Sequence, residues 1–334
     1  MTSKSTAGVL GMTIASELDA SLTRGLAAVE DALLASVTTG DGFVNEAATH
    51  LVAAGGKRFR PLVTLLAAQF GDPAAAGVVP AAVVVELTHL ATLYHDDVMD
   101  EADMRRGADS ANSRWGNSIA ILTGDYLFAR ASDVLADLGP EAVRLQAQTF
   151  GRLVQGQIHE TIGPGDGDDP VEHYLQVIAD KTGSLIGTSA RFGALLSGVP
   201  ANQVDQLTEW GERIGIAFQL SDDLLDVASD SVESGKTPGT DLREHVPTLP
   251  VLLLRRAGRA EDADLLAALD GDLSDDATLA GVLGQLRAHP VMEEAADVTR
   301  FWGAQARASL AGLPDGDARA ALESLCDVVV NRRL

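Results

Sequence analysis

The residue types that most suggest chemistry in this 334-residue sequence are the aspartates of two short segments, HDDVMD and SDDLLD. They contain two sets with the same spacing: Asp96, Asp97 and Asp100, and Asp222, Asp223 and Asp226. In a helix, residues three and four apart share a face, so the carboxylates of each set would repel one another. Mg²⁺ favours carboxylate oxygens together with substrate phosphates and would relieve that repulsion. The repeat predicts a metal–diphosphate site, although one set alone is as typical of an exposed acidic helix end.

Basic residues lie close to these segments, in a chain whose formal net charge is -23. The motif GGKRFRP contains Lys57, Arg58 and Arg60, and it precedes a predicted helix whose N-terminus favours an anion. The pair Arg105 and Arg106 follows the first acidic segment. Apart from Lys4, the lysines all lie in such motifs: Lys57, Lys181 and Lys236. Together these bases indicate capture of an anionic substrate, while each alone would be explained as a surface charge paired with a neighbouring carboxylate.

The overall composition limits the class of partner and the compartment. An excess of 48 acidic over 25 basic residues argues against nucleic acid and against anionic lipid surfaces. Cys326 is the only cysteine, so no intrachain disulfide can form, and the N-terminus has no signal-peptide layout. The most apolar stretches are short or interrupted by Pro80, Glu86 and His89, which predicts no integral membrane segment. We therefore expect a cytoplasmic protein.

Apolar residues recur at helical spacing along nearly the whole chain, and no strand alternation is visible. This pattern predicts an all-α fold in a single domain, 1–334, whose core is built from Ala, Leu and Val because aromatic residues are only 4%. The predicted helices are 14–38, 43–53, 61–70, 79–100, 116–137, 141–161, 171–197, 202–228, 248–257, 261–269, 276–287, 290–311 and 315–331.

Six motifs in order give the chain its resemblance to a known family: GGKRFRP, HDDVMDEADMRRG, GDYLFARA, the Lys181–Thr182 pair, FQLSDDLLD and GKTPGTDL…TLP. Between Gly55 and Pro250 the chain resembles the trans-isoprenyl diphosphate synthases, also called polyprenyl synthetases. The resemblance implies mostly antiparallel helices around a deep central cavity, which is the isoprenoid synthase fold, in a homodimer. It also implies a prenyltransferase that condenses isopentenyl diphosphate head-to-tail onto an allylic diphosphate.

The same resemblance assigns roles to individual positions. The residues implied in catalysis are Asp96, Asp97, Asp100, Lys181, Asp222 and Asp223. Asp96, Asp100 and Asp222, with Asp97, Asp223 and Asp226 in support, would hold Mg²⁺ on the allylic diphosphate, with Mn²⁺ as an alternative metal. The implied contacts of the allylic diphosphate are Arg105, Lys181, Thr182, Gln219 and Lys236, and those of isopentenyl diphosphate are Lys57, Arg60, His89 and Arg106. One departure is EHVPTLP, where His245 and Val246 occupy the place in which the family often has a second lysine.

Product length is predicted from the residues that precede Asp96. Short-chain relatives carry an aromatic residue four or five positions earlier, whereas this chain has Thr92 and Ala91 there and Thr88 one turn further. These small side chains resemble the medium- and long-chain synthases and imply a product longer than geranylgeranyl diphosphate, unless a bulky residue elsewhere closes the cavity. A farnesyl or geranylgeranyl diphosphate synthase and a non-catalytic subunit of a heteromeric synthase remain alternatives. A terpene cyclase is disfavoured because both aspartate segments and GGKRFRP are present.

Overall fold

The computed structural model describes residues 14–228 and 238–331, and helices dominate both stretches. The first elements are α1 (Ser16–Val37), α2 (Gly42–Ala53), α3 (Phe59–Ala68), α4 (Val78–Met99), β1 (Met104–Arg105), β2 (Ala108–Asp109), α5 (Ala111–Trp115), α6 (Asn117–Leu138) and α7 (Pro140–Ile162). They are followed by α8 (Pro170–Ile178), α9 (Ser184–Leu196), α10 (Ala201–Ala228), α11 (Thr240–Arg243), α12 (Leu249–Ala257), α13 (Ala263–Leu269), α14 (Asp276–Ala288), α15 (Val291–Ser309) and α16 (Asp317–Val330). The predicted all-α fold is confirmed.

Three local features differ from the sequence-based expectations. β1 and β2 pair antiparallel as a hairpin, which is too short to produce an alternation pattern. A π-helical turn, Ala179–Gly183, interrupts the predicted helix 171–197. The helices α5 and α11 are absent from the predicted set because four or five residues carry little periodic signal.

Aspartate side chains begin several of the helices. The carboxylate of Asp41 accepts from the Val44 amide at 2.9 Å, and that of Asp169 accepts from the Val171 amide at 2.8 Å. Asp275 does the same for Thr278 at the start of α14, again at 2.8 Å. Such caps satisfy amides that have no partner inside the helix, so part of the acidic excess has a structural use.

The described residues pack into two compact units. The first lies within Met1–Phe150, Leu185–Gly211 and Leu310–Ser324, and the second within Gly151–Ser184, Glu212–Ser309 and Leu325–Leu334. In the first unit α4 is the central element, in contact with α1, α3 and α6. Its buried residues are mainly Ala, Val and Leu, as the composition predicted.

Helix α4 is long and apolar enough to pass a membrane-span test by length and composition. However, 67% of the tested window is buried inside the protein. The helix also contacts several other helices of its unit. We therefore interpret α4 as a core helix.

Leucines from α10, α12 and α14 form a large part of the core of the second unit. These include Leu220, Leu224, Leu252, Leu253, Leu254, Leu279, Leu283 and Leu286. Val291 and Ala295 of α15 belong to the same cluster. The second aspartate segment lies on α10 beside these leucines, so a packed core holds its backbone in place.

Candidate active site

Asp97 of the first aspartate segment is fully buried, which is unusual for a carboxylate. The side chain has no exposed surface, and its Oδ1 accepts from Arg105 Nε at 2.5 Å. Burial raises the pKa of Asp97, an effect that the Arg105 guanidinium opposes. Asp96 is half-buried and Asp100, at the end of α4, is exposed. The repulsion that the spacing implied is therefore relieved in part by an arginine of the protein itself.

The β1–β2 hairpin carries the Arg105–Arg106 pair and turns it back towards α4. His50 holds the hairpin, because its Nε2–H donates to the Asp109 carbonyl at 2.8 Å. Arg106 donates to the carbonyls of Leu51 and Gly55. Its guanidinium lies so close to Gly56 that a Cβ there would be 3.0 Å from it. The absence of a side chain at Gly56 therefore leaves room for the Arg106 guanidinium.

His89 lies among arginines that come from separate parts of the first unit. Burial, and then the nearby guanidiniums of Arg60, Arg106, Arg105 and Arg58, hold the pKa of His89 well below its usual range. The imidazole is therefore neutral near pH 7, and the local positive charge is carried by arginine. Such a cluster attracts an anion, to which guanidiniums can bond in a bidentate manner.

One base of GGKRFRP has a structural role instead. Arg58 is 6% exposed and adopts a left-handed backbone conformation, φ 47°, at the start of α3. Its NH1 donates to Glu86 Oε1 at 2.8 Å, and its Nε pairs with Glu30. Two carboxylates neutralise this guanidinium, so Arg58 is not available to bind a substrate. The sequence had suggested that all the bases of GGKRFRP capture an anion. Lys57 beside it is exposed.

In the second unit, Lys181 and Thr182 lie in the π-helical turn Ala179–Gly183. π-helical turns are rare and often mark functional sites. Thr182 Oγ1 donates to Gln219 Oε1 at 3.1 Å, and Gln219 Nε2 donates to Asp223 Oδ1 at 2.8 Å. Two residues predicted to contact the allylic diphosphate, Thr182 and Gln219, are therefore joined by hydrogen bonds to an aspartate of the second segment.

Asp223, the aspartate that accepts from Gln219, is only 6% exposed. Its other oxygen accepts from the Tyr174 hydroxyl. Burial raises the pKa of Asp223 to about 6, against the hydrogen bonds from Tyr174 and Gln219. Asp226, one turn later, accepts from the amides of Thr240 and Asp241 at 3.3 and 3.2 Å. Asp226 therefore holds the start of α11. Asp222, the first aspartate of the segment, is half-buried.

The remaining predicted site residues are placed as follows. Thr88 and Ala91 are fully buried, and Thr92 is half-buried with its hydroxyl donating to the His89 carbonyl at 2.8 Å. Lys236 lies outside the described residues. Within 14–228 and 238–331, no three His, Cys, Asp or Glu side chains form a group that could hold a metal ion by themselves. The metal ligands Asp96, Asp100 and Asp222 stay a prediction.

Several residues of the site were not predicted as such. Glu160 pairs with Lys181 Nζ at 2.5 Å, and Tyr174 is bound to Asp223. Neither has a local signal, because their partners are 21 and 49 residues away in the chain. Glu86 has a local signal in the sequence, because it lies within the apolar run of α4. A carboxylate in such a position is almost never buried without an ionic partner. His50 has no signal in the sequence, and its contact with the hairpin is seen in the structure.

Known proteins with this sequence pattern are prenyl diphosphate synthases. The chain matches the polyprenyl synthetase family over residues 41–285. It is 51% identical over 314 residues to the nonaprenyl diphosphate synthase of Mycobacterium tuberculosis, which covers 94% of each chain. A dimethylallyltranstransferase of the same organism is 41% identical over 308 residues, covering 92% of this chain and 94% of that relative.

A solved structure agrees with the sequence matches. It is geranylgeranyl pyrophosphate synthase from Corynebacterium glutamicum, complexed with calcium and isoprenyl diphosphate. The two chains are 44% identical, with a TM-score of 0.85 over 95% of this chain and 98% of that one. The protein therefore has the all-α isoprenoid synthase fold and belongs to the polyprenyl synthetase family of prenyltransferases, as its six motifs predicted.

Proposed function

We propose that this prenyltransferase condenses isopentenyl diphosphate head-to-tail onto an allylic diphosphate and makes an all-trans product longer than geranylgeranyl diphosphate. The observation that carries the proposal is that Arg60, Arg105 and Arg106, from two separate segments, lie near buried His89. In a chain of net charge -23, such a cluster fits an anion with several oxygens. The 51% identity to a nonaprenyl diphosphate synthase supports the longer product.

Each diphosphate has its own set of residues in this proposal. Lys57, Arg60, His89 and Arg106 bind isopentenyl diphosphate. Arg105, Lys181, Thr182, Gln219 and Lys236 bind the allylic diphosphate. The chain Thr182–Gln219–Asp223 supports the second assignment, because it fixes the side-chain amide of Gln219 between a hydroxyl and a carboxylate.

The carboxylates suit a hard divalent cation. Asp97 Oδ2 is buried without a hydrogen-bond partner among the described residues, an orphan oxygen of the kind that a cation satisfies. Mg²⁺ commonly takes one or two protein carboxylates and completes its shell with substrate phosphates and water. We assign Asp96, Asp100 and Asp222 as its ligands, with Mn²⁺ as an alternative metal. When bound, the metal stabilises negative charge on the departing diphosphate.

The protein's own residues act mainly by position and charge. Lys181 and Arg105 stabilise the leaving diphosphate as the allylic C–O bond breaks, and Thr182 and Gln219 orient it. Arg60 and Arg106 hold isopentenyl diphosphate so that its double bond attacks the allylic carbocation. The released diphosphate takes the proton that is then lost, so the reaction requires no protein base. Exclusion of water by apolar walls protects the cation.

Two alternatives to a long-chain synthase are a shorter-chain synthase and a non-catalytic subunit. A shorter-chain synthase is favoured by the 41% identity to a dimethylallyltranstransferase, but identity to the nonaprenyl enzyme is higher. A non-catalytic subunit would be expected to lack an aspartate segment, and this chain retains both. We further propose that the enzyme is a cytoplasmic homodimer.

Purified protein incubated with Mg²⁺, isopentenyl diphosphate and farnesyl or geranylgeranyl diphosphate tests the proposal directly. We expect elongated products longer than the C20 diphosphate by mass spectrometry, and no product when the metal is chelated. Absence of elongation with every primer would refute the synthase assignment. A product distribution that stops at C15 or C20 would favour the shorter-chain alternative. Thr92→Phe places an aromatic ring near the first aspartates and should shorten the products.

A further inference from the structure

We propose that Arg152 of α7 is a positioning residue for the allylic diphosphate, because it holds the π-helical turn Ala179–Gly183, which carries Lys181 and Thr182, against α10. The proposal rests on the synthase function and names a residue that acts on the substrate through others. Arg152 lies in none of the six motifs, and every residue of the argument belongs to the second unit.

Arg152 joins the turn to α10 through two carboxylates. Its Nε donates to Asp180 Oδ1 at 3.0 Å, and its NH1 donates to Glu212 Oε1. Asp180 is the second residue of the turn, and its side chain is only 15% exposed. Its other carboxylate oxygen accepts from Gln176 Nε2 at 2.7 Å. The two bonds of the guanidinium form a link between the turn and α10, which we call the Arg152 bridge.

Two glycines bring the turn into close contact with the helices on either side of it. A Cβ at Gly156 of α7 would lie 2.8 Å from the Lys181 amide nitrogen. A Cβ at Gly183 would lie 3.1 Å from the Glu212 carbonyl oxygen of α10. The turn therefore has no room to move towards either helix, and the Arg152 bridge prevents it from moving away.

The turn needs this support because its backbone hydrogen bonding is irregular. The Ser184 amide donates to the Ala179 carbonyl five residues earlier, instead of four as in an α-helix. If the turn relaxed to α-helical bonding, the register would shift by one residue and side chains would rotate by about 100° around the axis. Thr182 would then lose its hydrogen bond to Gln219, and Lys181 would turn with it. The bridge therefore preserves the arrangement that receives the diphosphate.

The contribution of Arg152 is local. Its side chain is 41% exposed, and ion pairs so open to water add little to global stability. The guanidinium also compensates the Asp180 carboxylate, which would otherwise repel a diphosphate bound at the turn. A test must therefore separate loss of position from added repulsion.

Two substitutions make this separation. Arg152→Met keeps the length of the side chain but removes the bridge, so it should raise KM for the allylic diphosphate by about tenfold, within the loss of about 100-fold that a misplaced group can cause. Asp180→Leu removes the bridge without leaving a carboxylate, and it should raise the same KM to a similar extent. The double variant should be no worse than the worse single variant, because both changes remove one contact.

The readout that distinguishes positioning from general damage is the second substrate. KM for isopentenyl diphosphate should stay unchanged in both variants, because the residues that we assign to it lie in the first unit. Arg152→Lys keeps the charge and can reach one carboxylate, so its allylic KM should lie between those of the wild type and Arg152→Met. Steady-state kinetics with full-length protein, Mg²⁺, isopentenyl diphosphate and geranylgeranyl diphosphate measure these values.

Hydrogen–deuterium exchange measures the turn itself, without turnover. Backbone amides of residues 179–184 should exchange faster in Arg152→Met than in the wild type, because their hydrogen bonds open more often when the bridge is absent. Amides of α15 should exchange at an unchanged rate.

Arg300→Met is the matched control. Arg300 is 46% exposed and also pairs with two carboxylates, Glu293 and Asp297, but both belong to its own helix, α15. This variant should leave both KM values and the exchange of residues 179–184 unchanged.

Circular dichroism identifies any variant that fails to fold, and the other single variant then decides the question. A wild type that elongates, together with an unchanged allylic KM in folded Arg152→Met or in folded Asp180→Leu, would overturn the positioning role alone. A wild type that does not elongate would refute the synthase function. In that case the exchange measurement still shows whether Arg152 holds the turn.

Discussion

At the scale of single residues, the structure separates charges that hold the fold from charges that remain for a substrate. Arg58 and Glu86 are both almost fully buried and neutralise each other at 2.8 Å. Lys57, which precedes Arg58 in the same motif, is exposed. Adjacent bases in one motif can therefore have different functions, because the helix start directs successive side chains to different sides.

Asp223 is a buried carboxylate whose ionised form is unfavourable in the folded protein. Burial raises its pKa to about 6 from an ordinary value of 3.8. Between these two pH values the folded protein holds a proton that the unfolded chain has lost, so stability falls as pH rises through this window and then stays level. Each unit of pKa shift corresponds to about 1.4 kcal/mol. In the metal-free protein at neutral pH, ionised Asp223 is thus destabilising.

We predict that Asp223→Asn raises the melting temperature of the chelator-treated protein at pH 8 and raises it less at pH 5, because only part of the pH window has been crossed there. Asparagine removes the buried charge, and its amide can still bond to Tyr174 and Gln219. Thermal unfolding at both pH values measures the effect. Asp264→Asn removes the same charge from an exposed position of the second unit and should change neither value. A lower melting temperature for Asp223→Asn at pH 8 would contradict the argument.

At the scale of elements, close helix packing positions the first aspartate segment. Gly124 of α6, in the motif GDYLFARA, faces α4 so closely that a Cβ would overlap the His95 ring and lie 3.1 Å from the Ala91 carbonyl oxygen. His95 immediately precedes Asp96, and its Nε2 bonds to the Ile121 carbonyl at 3.1 Å. The glycine therefore sets the distance between two helices at the level of the site.

Gly124→Ala should destabilise the protein by about 1–3 kcal/mol, because the new methyl group must displace a ring and press on backbone. It should also lower kcat by moving His95 and with it the neighbouring Asp96. Urea unfolding and steady-state kinetics measure the two effects. The control is Gly284→Ala in α14, where nothing lies within 4 Å of the added carbon. There alanine should stabilise by up to about 1 kcal/mol, and equal effects at both sites would refute the packing argument.

The sequence predicted the elements whose signal is periodic and missed those whose cause is tertiary. Helical spacing located α4 and α10 to within two residues, and the repeated aspartates marked both. The π-helical turn at Lys181 was not predictable, because a single inserted residue leaves the apolar pattern nearly intact. The β1–β2 hairpin was also missed, since it is held by His50 and by Asp97 from elsewhere in the chain.

At the scale of the whole molecule, a net charge of -23 would repel the diphosphate substrates that we propose. The described structure resolves this locally, since aspartates such as Asp41 and Asp275 cap helices while arginines gather around His89. Exposed acidic residues keep copies of the chain apart by repulsion. Any stable self-association must therefore use a surface where apolar contact outweighs that repulsion.

An exposed apolar stripe on α7 meets this requirement. Val154, Ile158 and Ile162 recur every four residues along one face of the helix, and they are 39%, 51% and 70% exposed. Contiguous apolar surface of this kind commonly marks an interaction site. A stripe along one helix can pair with its own copy about a two-fold axis, as an isologous dimer requires. It supports the homodimer that we propose.

Ile158→Glu tests that assignment, because it places a carboxylate at the centre of the stripe and, in a two-fold dimer, brings it close to its own copy. We expect wild-type protein to sediment as a dimer and the variant as a monomer at the same micromolar concentration. Phe301→Glu on α15 makes the same chemical change at a residue that is 55% exposed outside the stripe, and it should remain dimeric. A dimeric Ile158→Glu protein would place the interface elsewhere, and a monomeric wild type would refute the homodimer.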